Sequence, residues 1–193
     1  MRSSILVLGL LICVSTFAQV PQATCQKCFA SYIPKAELDA YAARGKAKKI
    51  IDQQVRALDV GHAHADVGMV YRGKLTPDRM NAAEHHFVSE VYYIIDGKAT
   101  LETGWDIVDY KARDAANNAV ANLNGPGGDG TTIRNPQVYQ LKAGDSLIIP
   151  AGVGHRFTKI DDHIRYLMVR VDPEKVTPLK SEADSKKDLA STK

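Results

Sequence analysis

From Ile50 onward the chain alternates short runs of β-branched and aromatic residues with Gly, Pro, Asp and Asn, the pattern of strands joined by turns. It predicts strands near 50–60, 66–73, 88–95, 98–103, 137–142, 146–150, 154–160 and 164–171. Asp96-Gly97, between Val91–Ile95 and Ala99–Thr103, predicts a tight hairpin, and Ala143-Gly144-Asp145 marks a second turn. No helical periodicity separates these runs. The class is therefore all-β, an antiparallel sandwich or barrel and not a set of βαβ units. Ahead of the strands, Pro34 opens a short helix with Leu38, Tyr41 and Ala42 at i, i+3, i+4 spacing and Gly45 to stop it.

Two segments fall outside this pattern. Residues 105–136 form a long loop with an Ala/Asn-rich stretch (Ala112–Asn124) followed by a glycine cluster (Gly125–Gly130). An excursion of that length is a lid, a binding loop or disordered. The cluster lacks Gly-Lys-Ser/Thr and a following helix, so it is not a phosphate loop. Residues 174–193 are polar and lysine-rich and are expected as a flexible polar tail.

The N-terminus changes the setting. Met1-Arg2 supplies one positive charge, Ser3–Phe17 is an almost unbroken apolar run, and Thr16-Phe17-Ala18 offers a cleavage site. Residues 1–18 are expected as a signal peptide, leaving an arm and short helix over 19–49 and a periplasmic or secreted protein. The run is too short to span a bilayer, and no later segment is apolar enough. Cys13 would leave with the signal, so Cys25 and Cys28 are expected as a disulfide in an oxidising compartment. Redox chemistry by this C-x-x-C would need a βαβ setting that the arm does not offer. Lys and Arg (25) nearly balance Asp and Glu (22), and no basic stripe argues for a nucleic-acid partner. The expected partner is a small-molecule substrate, with a homodimer allowed for and no membrane after cleavage.

Candidate chemistry gathers in two half-signatures, His85–(x4)–Glu90–(x6)–Gly97 and Gly144–(x5)–Pro150–x–Gly152–xx–His155. Glu90, Tyr92 and Ile94 share one strand face, so a core Ile94 would turn Glu90 inward, where a carboxylate needs a partner. His85 and His86 are adjacent, and only one can point into a barrel from a regular strand. His155 follows a rigid turn that could aim its imidazole inward. Two imidazoles and a carboxylate suit a divalent transition metal: Fe, Mn, Ni, Cu or Zn. Tyr92 is the candidate pocket acid or hydrogen-bond donor, with Tyr71 and Arg170 as secondary candidates. His62-Ala-His64 reads as a surface turn before the strand at Asp66.

These residues resemble the cupin superfamily, whose motifs are G(x)5HxH(x)3–4E(x)6G and G(x)5PxGxxH(x)3N. Gly144–His155 matches the second motif up to its histidine, and His85, Glu90 and Gly97 match the first. The stretches around Glu84-His85, Glu90-Val-Tyr-Tyr and Val169–Pro173 look like those of exported single-domain bacterial cupins. The resemblance implies a double-stranded β-helix (jelly-roll) barrel over 50–173, with metal on His85, Glu90 and His155. Two departures stand out: the first motif histidine falls on Ala83 and the asparagine on Lys159. A shifted register would use Glu84, His86, Glu90 and His155. The resemblance further implies a metal-dependent dioxygenase, isomerase or lyase acting on a small oxygen-rich or phenolic molecule. The alternative is a non-catalytic small-ligand or sugar-binding cupin.

Overall fold

The chain's architecture turns on one bent strand. A computed structural model describes Thr24 and residues 28–191. In order it contains α1 (Lys35–Lys48), β1 (Asp52–Asp59), β2 (His64–Gly73), β3 (Ala82–His85), β4 (Ser89–Gly104), β5 (Ile107–Val108) and β6 (Lys111–Ala112). There follow a π-helical turn (Val120–Asn124), β7 (Gly127–Gly130), β8 (Thr132–Ile133), β9 (Gln137–Lys142), β10 (Ser146–Ile149), β11 (Gly154–Lys159), β12 (His163–Asp172) and α2 (Glu182–Ala190). The expected signal peptide and Cys25 lie outside the described residues, and the Cys25–Cys28 pairing with them. No helix among the described residues is long and apolar enough to cross a membrane.

Strand β4 belongs to two sheets. Its first half pairs with β12, from Ser89↔Val171 to Gly97↔Ile164, and with β10. Its second half pairs with β9 and β11. One sheet therefore runs β1-β2-β12-β4-β10, and the other runs β9-β4-β11-β3-β7-β6. All these pairings are antiparallel, and the two curled sheets face each other as a jelly-roll barrel.

The expected hairpin at Asp96-Gly97 is not formed. The dipeptide bends β4 without reversing it, and Gly97 takes φ +79 to do so. The register with β12 slips at this point, between Asp96↔Arg165 and Ile94↔Tyr166. That extra residue is a bulge, and it switches the strand's parity. Glu90, Tyr92 and Ile94 are buried before it, and Ala99, Leu101 and Thr103 after it. Both halves thus face one interior, which they fill with Val70, Phe157, Ile164, Tyr166 and Met168.

Three other segments depart from the sequence reading. α1 continues past Gly45 to Lys48 and packs Tyr41 and Ala42 with Val55 and Met69 on the outside of the first sheet. Residues 105–136 are built and not a structureless loop: β7 pairs with β3, β6 with β7, and β5 with β8. Residues 174–191 are not a loose tail. The Lys180 backbone pairs with Ala57, Ser181 and Asp184 form a capping box for α2, and Ser185 is fully buried against Val55 and Arg56. Composition hid this helix, because a few small side chains anchor it and not an apolar stripe.

One end of the interior is polar. His64, expected in a surface turn, is buried at the start of β2, its Nδ1 2.9 Å from the Thr177 carbonyl, while His62 is exposed. Thr177 donates its N–H and hydroxyl to Asp172 at 2.8 and 2.7 Å. Asp66 beside them is fully buried, and burial pushes its carboxyl up to about 6. Its folded pKa lies above the unfolded value, so its stabilising contribution is complete below about pH 4 and is lost as pH rises through about 6. Asp66→Asn should therefore raise stability at pH 7.5 by up to about 3 kcal/mol and change little near pH 4. Urea denaturation of both proteins at the two pH values checks this; a difference independent of pH would contradict it.

Candidate metal centre

Three strands of the barrel bring three donors together. Glu90 points inward from β4, His85 closes β3, and His155 opens the inward face of β11. The turn before His155 is tied to the first motif directly. Gly152, at φ +78, donates its N–H to the His85 carbonyl at 2.7 Å, and Ala151 donates to Ser89 Oγ at 3.0 Å. The two half-signatures, far apart in sequence, are thus bonded to one another.

His85 Nε2 lies 3.5 Å from Glu90 Oε1, and His155 Nε2 lies 3.7 Å from Glu90 Oε2. The three donors all fall within 4.8 Å of each other and are buried. Two donors each about 2.1 Å from one ion are separated by roughly 3.0–3.4 Å, so the two His–Glu spacings are a few tenths of an ångström wider than in a closed coordination sphere. The chemistry of the set fits too. Burial pushes His85 down to about 3 and lowers His155 as well, so both imidazoles are neutral at physiological pH. Burial alone would raise Glu90, but the neighbouring His85, Arg170 and His155 outweigh it and hold the carboxyl at about 2. Neutral imidazoles and an anionic carboxylate are the forms a divalent cation binds.

Surrounding groups fix these side chains. Arg170, itself buried on β12, donates from Nε to Glu90 Oε1 at 3.2 Å and also pairs with Asp52. The Tyr92 hydroxyl donates to Glu90 Oε2 at 2.7 Å. Burial and the Glu90 charge raise this phenol well above its ordinary range, so it stays protonated and holds the carboxylate in place. His155 Nδ1 sits 3.3 Å from the Val153 carbonyl, which directs Nε2 toward Glu90.

His86 lies on the opposite side. Its side chain is partly exposed, with Nε2 2.9 Å from the Tyr110 hydroxyl and 3.0 Å from Glu84. Glu84 accepts from Tyr110 at 2.6 Å, so the alternative register of Glu84 and His86 forms its own cluster beneath the 105–136 segment. Ala83 lines the interior cavity, as the missing histidine would. Lys159 is exposed and pairs with Asp161 at 3.5 Å, away from the donors. Tyr71 stacks on His163 outside the site.

The donors line a cavity of about 100 Å³ shared with Asp52, Arg72, Arg113, Asn124 and Tyr166. At roughly 30 Å³ per water, it holds a few waters or one small polar group. Sequence reading ranked Arg170 low and missed these five. The alternation along His163–Asp172, which puts Arg170 on the face of Ile164, Tyr166 and Met168, could have found Arg170. Arg113 and Asn124 reach the cavity from the irregular 105–136 segment, and no periodic signal could have placed them.

A family model described as the AraC-like ligand binding domain matches residues 127–189, a stretch that carries the second half-signature and its histidine. The match covers about a third of the chain, so the likeness to this family is one of its C-terminal part. No curated protein matches it by sequence. Among solved structures, the chain resembles BH2720 from Bacillus halodurans at 13% identity and TM-score 0.44, covering 82% of this chain and 95% of that one. It also resembles FeII HppE, at 16% identity and TM-score 0.34, covering 56% of this chain and 43% of that one. A third is the DMSP lyase DddQ from Ruegeria pomeroyi DSS-3, at 14% identity and TM-score 0.39, covering 62% of this chain and 45% of that one. The chain thus spans less than half the length of HppE and DddQ.

Proposed function

We propose that this protein is an exported, metal-dependent enzyme that acts on a small, oxygen-rich anion. The observation that carries the reading is the convergence of His85, Glu90 and His155, in metal-ready protonation states, on a small polar cavity. A divalent metal bound there would supply Lewis-acid polarisation of a substrate oxygen or a site for dioxygen. The chain's own residues bind and orient. Arg170 is matched by Asp52 and Glu90, and Arg113 by Asp129 at 2.6 Å. Arg72 has no carboxylate salt bridge among the described residues and is held by the Tyr166 hydroxyl at 3.3 Å and the face of Phe157. It is the guanidinium left to meet a substrate carboxylate or other oxyanion. Tyr92 and Arg170 keep Glu90 oriented. The small cavity favours a compact acid over a whole sugar.

The apolar run at Ser3–Phe17 supports export, with Cys25 and Cys28 paired in the mature chain; an intact mass beginning at Met1 in exported protein would contradict this. The activity is tested by supplying Fe, Mn, Ni, Cu or Zn to the purified protein and following oxygen uptake and product formation on keto-acid, phenolic and sugar panels. Turnover of a small acid that falls at least about tenfold in Arg72→Ala, through a raised KM, is expected. Metal and ligand binding without turnover would favour the non-catalytic cupin instead.

A further inference from the structure

Strand β1 stops short of its neighbour, and a pocket occupies the notch it leaves. β12 accompanies β2 as far as Gly73↔His163, whereas β1 pairs with β2 only as far as Asp52↔Val70. Beyond Val70 the Tyr71 N–H reaches the Ile51 carbonyl at 3.2 Å. The end of α1 forms the facing wall with Gly45, Lys46 and Lys49. Leu75 closes the far side, tied by its N–H to the Ile160 carbonyl at 3.0 Å. The pocket measures about 440 Å³, against about 100 Å³ for the metal cavity, and falls within the roughly 300–1,000 Å³ usual for small-molecule sites.

Its floor and its rim differ in character. The floor is Ile51, Leu75 and Ile160, which belong to the barrel's apolar core or pack against it. The rim is cationic, with Lys46, Lys49 and Lys74 exposed beside Arg72, and the one acid in the lining is Asp78. Lys35, Lys175, Lys180 and Lys186 each have a carboxylate partner, but among the described residues the three rim lysines have none. Lys46 lies instead over the Tyr71 ring, with Nζ 5.9 Å from its centre. The dipole of α1 accounts for Lys46 in its last turn. Lys74 and Arg72 come from the end of β2 and the residue after it, so the helix does not explain the cluster. Cations without counter-charge around an apolar floor are matched by one kind of molecule, an anion attached to a hydrocarbon body. We infer that this pocket is a second ligand site, for an organic carboxylate whose charge sits among the rim lysines and whose apolar body lies on Ile51, Leu75 and Ile160. Arg72 is the one lining residue that it shares with the metal cavity, and the site does not depend on a metal being bound.

The test is calorimetric titration of the full, metal-free protein with octanoate, with acetate as the charge without the body and 1-octanol as the body without the charge. Octanoate should bind one site at least about tenfold more tightly than either. Replacing Lys46, Lys49 and Lys74 together by Gln should weaken octanoate at least about tenfold and leave 1-octanol within about a factor of two. Lys98, Lys142 and Lys159 line a different surface pocket, so their joint replacement by Gln removes the same charge elsewhere and should leave octanoate within about a factor of two. His155→Ala should bind octanoate as the unsubstituted protein does, which separates this site from the metal centre. The inference fails if octanoate shows no saturable binding at millimolar concentration, or binds no more tightly than acetate. It also fails if the two triple variants lose affinity equally, which would mark a general effect of net charge. Loss of octanoate binding in His155→Ala would place the ligand in the metal cavity and overturn the inference as well.

Discussion

His155→Ala and His85→Ala should each lower divalent-metal affinity by more than about 100-fold, whereas His86→Ala should leave it within about a factor of two. The contrast follows from where the three imidazoles lie. His85 Nε2 and His155 Nε2 sit 3.5 and 3.7 Å from the two oxygens of Glu90, inside the barrel. His86 is turned to the far side of β3, against Tyr110 and Glu84. Removing either inner imidazole leaves one nitrogen and one carboxylate, with a void where the ring was. The effect should also appear in stability. With metal at about 100 times its dissociation constant, the unsubstituted protein gains roughly 2.7 kcal/mol over its metal-free form, and the two inner-histidine variants lose that increment. His86→Ala should keep it. Calorimetric titration and thermal melting with and without metal measure both. If His86→Ala loses the metal and His85→Ala keeps it, the assignment of the first half-signature is wrong.

Gly97→Ala should destabilise the protein by about 3 kcal/mol or more, although Gly97 touches no donor. Gly97 holds φ +79 at the bend that carries β4 from one sheet to the other, and an added Cβ would overlap the backbone of His163 and Ile164 on β12. Backbone cannot swing aside as the end of a side chain can. Relief would have to come from shifting β12 away from β4, which disturbs the pairing that places Arg170 opposite Glu90. Gly144→Ala is the internal control. Gly144 is at φ +89, but nothing stands within 4 Å of an added Cβ, so only the conformational strain of about 1 kcal/mol is expected. Urea denaturation of the two variants measures the gap. Equal losses would mean that the bend tolerates a side chain and that the close approach to β12 does not matter.

The case of Gly97 also shows what the sequence could and could not convey. Asp96-Gly97 between two alternating runs is a good hairpin signal, because positive φ is what a tight turn needs. The same local property serves a bulge inside a continuous strand, and only the partners on either side decide between them. β12 spans the bend without interruption, and local sequence carries no trace of that. Glu90, Tyr92 and Ile94 were legible because parity is a local property of a strand. His85 and His155 were legible because each sits at a fixed spacing from glycines and a proline that shape the backbone around them. β3 was missed, being four residues, Ala82–His85, with no β-branched or aromatic member. α2 was missed because its docking depends on Ser185, Thr177 and backbone bonds at Lys180, which look like solvated surface in composition. Asn124 and Arg113 are the least legible of all: their place in the cavity depends on the path of the whole 105–136 segment across the barrel.

The most direct test of the metal centre is equilibrium dialysis of the purified, metal-free protein against Mn, Fe, Co, Ni, Cu and Zn in turn, followed by elemental analysis. The arrangement of His85, Glu90 and His155 predicts one equivalent of at least one of these metals, with none retained when His155 is replaced by alanine. A protein that retains no metal in any of the six dialyses, or retains it undiminished in His155→Ala, would contradict the account.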